Sequence, residues 1–255
     1  MSWLALFQPE GLSGAAALFL VVFSFFTSAV TAAMGLGGGV AMLAVLGMLL
    51  PVAALIPVHG FVQLGSNVGR AWHMRAHVQT RIALPFLIGS LVGAVLGLQV
   101  VAQLPDAPLK LFLGLFVLLV TWVSIPAMAG IGGREIGIGG AVVAFFTMLV
   151  GATGPLLSAL FAQTIPDDRK ALIATNAAGM TLHHALKVAL YAFAGFSFAR
   201  WLPLLGAVIA SGYLGTLFGV RILERLPERL FRILFRLMLT ALALDMVRRG
   251  IAGLV

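Results

Sequence analysis

His59, Gln63, Ser66, Asn67 and Arg70 recur at i, i+4, i+7, i+8 and i+11. That spacing puts side chains on one face of a helix. A second set, Asn176, His183, His184 and Lys187, repeats the pattern at i, i+7, i+8 and i+11, with Thr175 and Thr181 beside it. Both sets lie inside long apolar stretches, and neither contains a carboxylate. Amides, hydroxyls, imidazoles, a guanidinium and an ammonium in such surroundings are donors suited to an anion. Cation sites and many proton relays at membrane depth use Asp or Glu instead. Histidine changes charge between pH 5 and 8, so His59, His183 and His184 predict pH-sensitive anion movement, with protons as a candidate coupling ion. The alternative use of both stripes is interhelical hydrogen bonding, which ties membrane helices together.

Two glycine-rich interruptions would complete an anion site. One is Gly35-Leu36-Gly37-Gly38-Gly39, ahead of a short apolar piece at 40–50. The other is Gly151-Ala152-Thr153-Gly154-Pro155, ahead of another at 155–165. Neither piece is long enough to span alone. A broken or re-entrant helix is tolerated at membrane depth when it is buried in protein or lines a cavity. A helix starting there directs free N–H groups and a partial positive charge at its surroundings, and glycine lets an oxyanion reach the backbone. Gly37, Gly38, Gly39, Thr153 and Gly154 therefore join His59, Gln63, Asn67, Arg70, Asn176, His183, His184 and Lys187 as the expected substrate-binding residues. Sulfite, sulfonate and carboxylate would all satisfy such donors, so the donors alone leave the anion open. Close helix packing is the other use of glycine here.

The elements that must carry these residues are membrane helices. Of 255 residues, 61% are hydrophobic and 9% charged, with a mean hydropathy of +1.11. A soluble domain has about a quarter charged residues, so a cytosolic enzyme, a disordered chain and a secreted disulfide scaffold are excluded. There is no cysteine. No nucleotide loop, metal-ligand cluster or nucleophile–base arrangement occurs, so no catalysis, cofactor or metal is expected. The net charge of +8 sits between apolar runs and reads as topology-setting loop charge, not as a nucleic-acid footprint. No Asp, Glu, Lys or Arg occurs between Glu10 and Arg70, or within 82–105, 111–133, 136–166 and 201–220. Long segments are expected at about 12–34, 51–70, 82–103, 109–128, 137–150, 170–192, 201–221 and 230–248, each compared with the roughly 20 residues a spanning helix needs. The fold class is an all-α polytopic membrane protein with about eight such segments. Trp72, Trp122 and Trp201 are expected near span ends as interfacial aromatics. Asp245 is expected to pair with Arg248 and Arg249.

The chain also repeats itself. Ala54-Leu55-Ile56 matches Ala171-Leu172-Ile173, and in the same register His59 falls on Asn176, while Ser66, Asn67 and Arg70 fall on His183, His184 and Lys187. Leu84-Pro85 then matches Leu202-Pro203, and Leu96-Gly97 matches Leu214-Gly215. This predicts an N-terminal repeat over 1–128, a linker over 129–136 and a C-terminal repeat over 137–255, with interrupted helices at equivalent positions. Such layouts belong to transporters with the site at the repeat interface. If each half is a re-entrant hairpin plus three spans, the halves are inverted. One side then holds nine basic residues (Arg70, Arg75, Arg81, Arg134, Arg169, Lys170, Arg221, Arg225 and Arg229) against four (Lys110, Arg200, Arg248 and Arg249). The parallel arrangement gives seven to six. The positive-inside rule favours inversion, with 70–81 and 221–229 cytoplasmic.

The Gly35–Gly39 break after a first apolar helix resembles the sulfite exporter TauE/SafE family of membrane transporters. So do the proline-led helix ending in Asn67, Gly69 and Arg70, and the degenerate second copy after Gly151. The resemblance covers nearly the whole chain. It implies a secondary transporter moving a small sulfur-containing anion, sulfite or an organosulfonate, across the bacterial inner membrane. Composition predicts multi-pass insertion and contact with membrane lipids, and a homodimer is a candidate assembly. A passive anion channel or a small-carboxylate transporter is the alternative. Thr153-Gly154-Pro155 departs from the family pattern by replacing a full glycine run.

Overall fold

The computed structural model describes residues 9, 12–34, 37–123, 132–165, 168–223 and 228–254, and among these the regular structure is helical. In chain order the helices are α1 (Gly14–Met34), α2 (Gly38–Leu49), α3 (Val52–His73), α4 (Ala83–Val101), α5 (Asp106–Trp122), α6 (Gly133–Val150), α7 (Gly154–Ala162), α8 (Arg169–Phe193), α9 (Leu202–Leu223) and α10 (Glu228–Ala252). The long segments read from the sequence coincide with α1, α3, α4, α5, α6, α8, α9 and α10, and the two short pieces with α2 and α7. Gly35 and Leu36 of the first break, residues 129–131 of the 129–136 linker, Asp167 and residues 224–227 lie outside the described residues. Four helical stretches are long and apolar enough to cross a bilayer: Gly14–Ala32, Thr80–Val101, Gly133–Val150 and Ala199–Phe218. They fall on α1, α4, α6 and α9.

Two glycines shape the breaks. Gly37 (φ 105°) precedes α2 and Gly151 (φ 85°) ends α6, both in the left-handed region that L side chains rarely occupy. The chain turns there, and a short helix begins at once. The 12 residues of α2 rise about 18 Å, well short of a hydrocarbon core about 30 Å thick. Val40–Leu46 are buried throughout, as expected of a helix apolar all round. An arginine meets the C-terminal end of each short helix: Arg249 Nη1 donates to the Met48 carbonyl (3.4 Å) and Arg81 Nη2 to the Thr164 carbonyl (3.3 Å). Cations are favourable at that end of the helix dipole.

The chain divides into two compact units that cut across the two sequence halves. The first holds residues 1–62, 105–123 and 196–255; the second holds 63–104 and 124–195. In the first unit α1 packs on α9. Gly215 lies against the Phe25 backbone, leaving no room for a Cβ. Ser211 Oγ donates to the Val21 carbonyl (2.6 Å) and Ser24 Oγ to the Val208 carbonyl (2.8 Å). Partners four residues apart on one helix meet partners four apart on the other in the same order, so α1 and α9 run parallel. In the same unit α5 packs on α10 in the opposite sense. Ala107 lies by Gly253, Leu111 by Gly250, and Gly114 by Val247. Trp122 Nε1 donates to Thr240 Oγ1 (2.9 Å). Numbers rise on one helix as they fall on the other, so α5 and α10 are antiparallel. Asp245 binds Arg248 (2.7 Å) and Arg249 (2.7 Å), as the sequence predicts. Trp72 and Trp122 are exposed, whereas Trp201 is buried. It stacks on Phe196, so it belongs to the packing and not to an interfacial belt.

In the second unit α4 packs on α6. Gly89, Gly93 and Gly97 lie against the backbones of Gly137, Ala141 and Phe145, where no Cβ fits. The rising register on both helices makes them parallel, and the glycine stripe brings the backbones close together. The short α7 lies along α8. Gly179 accommodates Leu157 and Phe161, and these join Ile82, Phe86, Ile136, Val143 and Met180 in an apolar core.

Candidate functional site

The second unit encloses a polar cluster in this apolar packing. It starts with α8, whose N terminus is closed by Asp168: the carboxylate Oδ1 accepts from Ala171 N at 2.9 Å, an ordinary N-cap. Capping fixes the start of a 25-residue helix that presents His183 and Lys187 one turn apart on the same face. Both are buried, His183 1% and Lys187 0% exposed. α4 brings Ser90 and Phe86 to the imidazole, α6 brings Thr147, and the break before α7 brings Thr153. Ser90, Thr147 and Thr153 are buried as well.

The hydrogen bonds among these groups run in one direction. Thr147 has a single hydroxyl proton, which goes to the Val143 carbonyl (2.7 Å). Its oxygen is then the acceptor for its other neighbours, the Thr153 hydroxyl and His183 Nδ1 at 3.4 Å. An Nδ1 that donates leaves Nε2 of a neutral ring as the acceptor, and Ser90 Oγ donates to it at 2.8 Å. The chain Ser90–His183–Thr147–Val143 is therefore complete with a neutral imidazole. Phe86 stacks on the ring (5.0 Å between centroids, 23° between planes) and fixes its plane.

Lys187 differs from its neighbours. Its Nζ has no hydrogen-bond partner among the described residues. The adjacent packing is apolar: Ala94, Ala144 and Met148 with Leu98, Leu186, Leu190 and Tyr191. The Tyr191 hydroxyl is directed to the Met148 carbonyl (3.3 Å). The described carboxylates of this unit are occupied at helix N termini, Asp168 on α8 and Glu135 Oε2 accepting from Gly132 N (2.9 Å) ahead of α6. An ammonium taken out of water without a counter-charge or hydrogen bonds is costly by several kcal/mol. Among the described residues the cluster therefore combines hydroxyls, an imidazole and an ammonium, with no carboxylate directed to it.

Of the residues read from the sequence, the structure brings Thr153, His183 and Lys187 together. Gly154 opens α7 directly after Thr153, and a side chain built on it would meet nothing within 4 Å. Gln63, Asn67 and Arg70 engage one another along α3: Asn67 Nδ2 donates to the Gln63 carbonyl (2.8 Å) and Arg70 Nη2 to Asn67 Oδ1 (3.0 Å). In the first unit, His59 is fully buried, and its Nε2–H donates to the Gly39 carbonyl at 2.9 Å, tying α3 to the first turn of α2. Gly38 sits against the Thr27 carbonyl and the Thr31 hydroxyl of α1, with no space for a side chain. Its glycine thus has a packing cause of its own. Asn176 is half-buried, with an Oδ1 that has no partner among the described residues. Beside it, Thr175 Oγ1 accepts from Gln79 N (3.0 Å). His184 is fully buried.

Ser90, Phe86 and Thr147 were not predicted from the sequence. Ser90 is the single hydroxyl residue in the apolar run 82–103, and Thr147 is the last polar residue before the Gly151 break. A lone hydroxyl in a membrane helix commonly bonds to its own backbone, so neither signals a site until the fold sets both against His183.

The family described as sulfite exporter TauE/SafE matches residues 20–246. The chain belongs to that family of membrane-embedded transporters. No curated protein and no solved structure matches it.

Proposed function

We propose that this TauE/SafE family member is a secondary transporter that moves a small sulfur-containing anion, sulfite or an organosulfonate, across the bacterial inner membrane, through which it passes several times. The observation that carries this reading is Lys187: wholly buried, without a partner among the described residues, and one turn from the hydroxyl–imidazole chain. A bound anion supplies the missing counter-charge to Lys187, whose Nζ protons are charge-assisted donors, and the start of α7 supplies free backbone N–H groups. The family description supports sulfite or a related oxyanion as the cargo.

The halves 1–128 and 137–255 are read as inverted repeats. The antiparallel packing of α5 on α10 supports this, because these are the last helices of the two halves. Inverted copies related by an axis in the membrane plane run in opposite senses. Lys110 then lies at the same end of its helix pair as Arg248 and Arg249, as the inverted arrangement requires.

The test is flux in proteoliposomes. Labelled sulfite, taurine and sulfoacetate are offered, with and without unlabelled anion inside. Trans-stimulated, saturable uptake is the expected result and excludes a passive channel. In Lys187→Met, uptake falls by about tenfold or more, the equivalent of about 1.4 kcal/mol. Unchanged uptake in that variant removes Lys187 from the site.

A further inference from the structure

The cluster in the second unit contains a lysine, Lys187, and a histidine, His183, one turn apart on α8, with His184 beside them. We infer that the buried site selects anions by their charge: it takes a singly charged oxyanion against Lys187, and a doubly charged one only together with one further proton held on His183. The inference rests on the reading of this cluster as the anion site, and it names the class of anion that the site accepts.

The argument is one of charge balance in a place without water. A buried ion pair is tolerated when the charges match and the remaining donors and acceptors are filled. Lys187 balances one negative charge. Among the described residues, the elements packed on α8 place no second lysine or arginine against His183 or Lys187. α4 presents Phe86 and Ser90. α6 presents Thr147, and its one carboxylate, Glu135, sits at the far start of the helix on Gly132 N. α7 (GPLLSALFA) has no titratable residue. The short helix Arg75–His77 is exposed, and the adjoining Gln79 meets α8 at Thr175, two turns before His183. On α8 itself the neighbours are Lys187, His184 and, beyond them, Tyr191 on the Met148 carbonyl. A dianion in this cluster would therefore carry one uncompensated charge.

His183 is placed to cancel it. Both ring nitrogens face hydroxyls, Ser90 at 2.8 Å and Thr147 at 3.4 Å, and hydroxyls accept as readily as they donate. When Nε2 takes a proton, Ser90 Oγ turns from donor to acceptor. Its own proton passes to the carbonyl one turn back, that of Phe86, as serines in helices do. The Nδ1–Thr147 side stays as it was. The second proton thus enters with no lost hydrogen bond and no movement of the backbone. A ring whose Nε2 faced a backbone N–H could not do this.

The experiment measures protons taken up per anion bound. Purified full-length protein in detergent is titrated calorimetrically with methanesulfonate, a monoanion, and with sulfate, a dianion, in buffers of differing ionisation enthalpy at neutral pH. The expected result is that sulfate binding takes up one more proton than methanesulfonate binding, so that its affinity falls about tenfold further for each unit rise in pH. In His183→Gln the difference falls to zero, whatever the two affinities become. Equal proton uptake by the wild-type protein overturns the inference, as does a failure of sulfate to bind at any pH. If both anions bind, depend on Lys187 and take up equal numbers of protons, the site stands and only the charge selection fails. If neither binds, both readings fail. The wild-type comparison decides the matter even where the variant does not fold.

Discussion

A lysine at zero exposure with no partner among the described residues separates stability from function. Replacing a buried ion by an apolar group of similar volume is often neutral or stabilising, because the desolvation cost disappears. Lys187→Met is therefore expected to keep or raise the thermal midpoint while losing anion-dependent stabilisation; a midpoint several degrees below wild type would make Lys187 a structural residue instead. Glycine divides the same way. A side chain at Gly38 meets the α1 backbone, and overpacking of this kind costs about 1–3 kcal/mol. Gly38→Ala should thus lower the midpoint by about 3 °C or more. Gly154 faces open space, so Gly154→Ala is expected to fold normally and to lower flux, since the added methyl stands where an anion would approach the start of α7. Wild-type flux in Gly154→Ala would remove the α7 start from the site. The sequence shows His183 and Lys187 by type and spacing, because polar residues in an apolar run stand out. It does not show Ser90 or Thr147, because a single hydroxyl there has an equally good local partner in its own helix.

Helix boundaries are legible because apolar length, charge placement and glycine each act locally. The 38–49 and 154–162 helices follow from the breaks at Gly37 and Gly151, and α8 from its Asp168 cap. Pairing is less legible. Gly89, Gly93 and Gly97 recur every fourth residue and plainly mark a close-packing face, yet nothing in α4 names α6 as its partner. That choice depends on contacts far apart in the chain. The stripe is where the pairing can be tested. Gly93→Leu places a branched side chain against the Ala141 backbone and separates α4, which carries Ser90, from α6, which carries Thr147. The His183 chain bridges the two helices. Loss of anion binding is expected together with a drop in thermal midpoint, whereas Gly206→Leu on α9, where a side chain meets nothing within 4 Å, should change neither. Equal behaviour of the two variants would show that the α4 stripe does not hold the site together.

Two independent observations support the proposal that the halves are inverted. Charge counting on the sequence favours inverted halves by nine basic residues to four, a bias that the parallel arrangement lacks. The packing of α5 on α10 bears on the same choice without using charge. Ala107 lies by Gly253 and Leu111 by Gly250, so the start of α5 and the end of α10 share a face. Parallel halves would put them on opposite faces, because the two helices would then occupy equivalent, like-directed positions. The natural absence of cysteine makes the distinction measurable. Single cysteines are placed at the exposed positions Ala76, Gln103 and Gly253 and treated with a membrane-impermeant maleimide in intact cells. Gln103→Cys and Gly253→Cys are expected to label, and Ala76→Cys to label only after the membrane is opened, which puts the basic 70–81 loop in the cytoplasm. A double variant, Ala107→Cys with Gly253→Cys, should in addition form an intramolecular disulfide under mild oxidation, since a Cβ at position 253 lies against that of Ala107. Labelling of just one of positions 103 and 253, with no crosslink, would make the halves parallel.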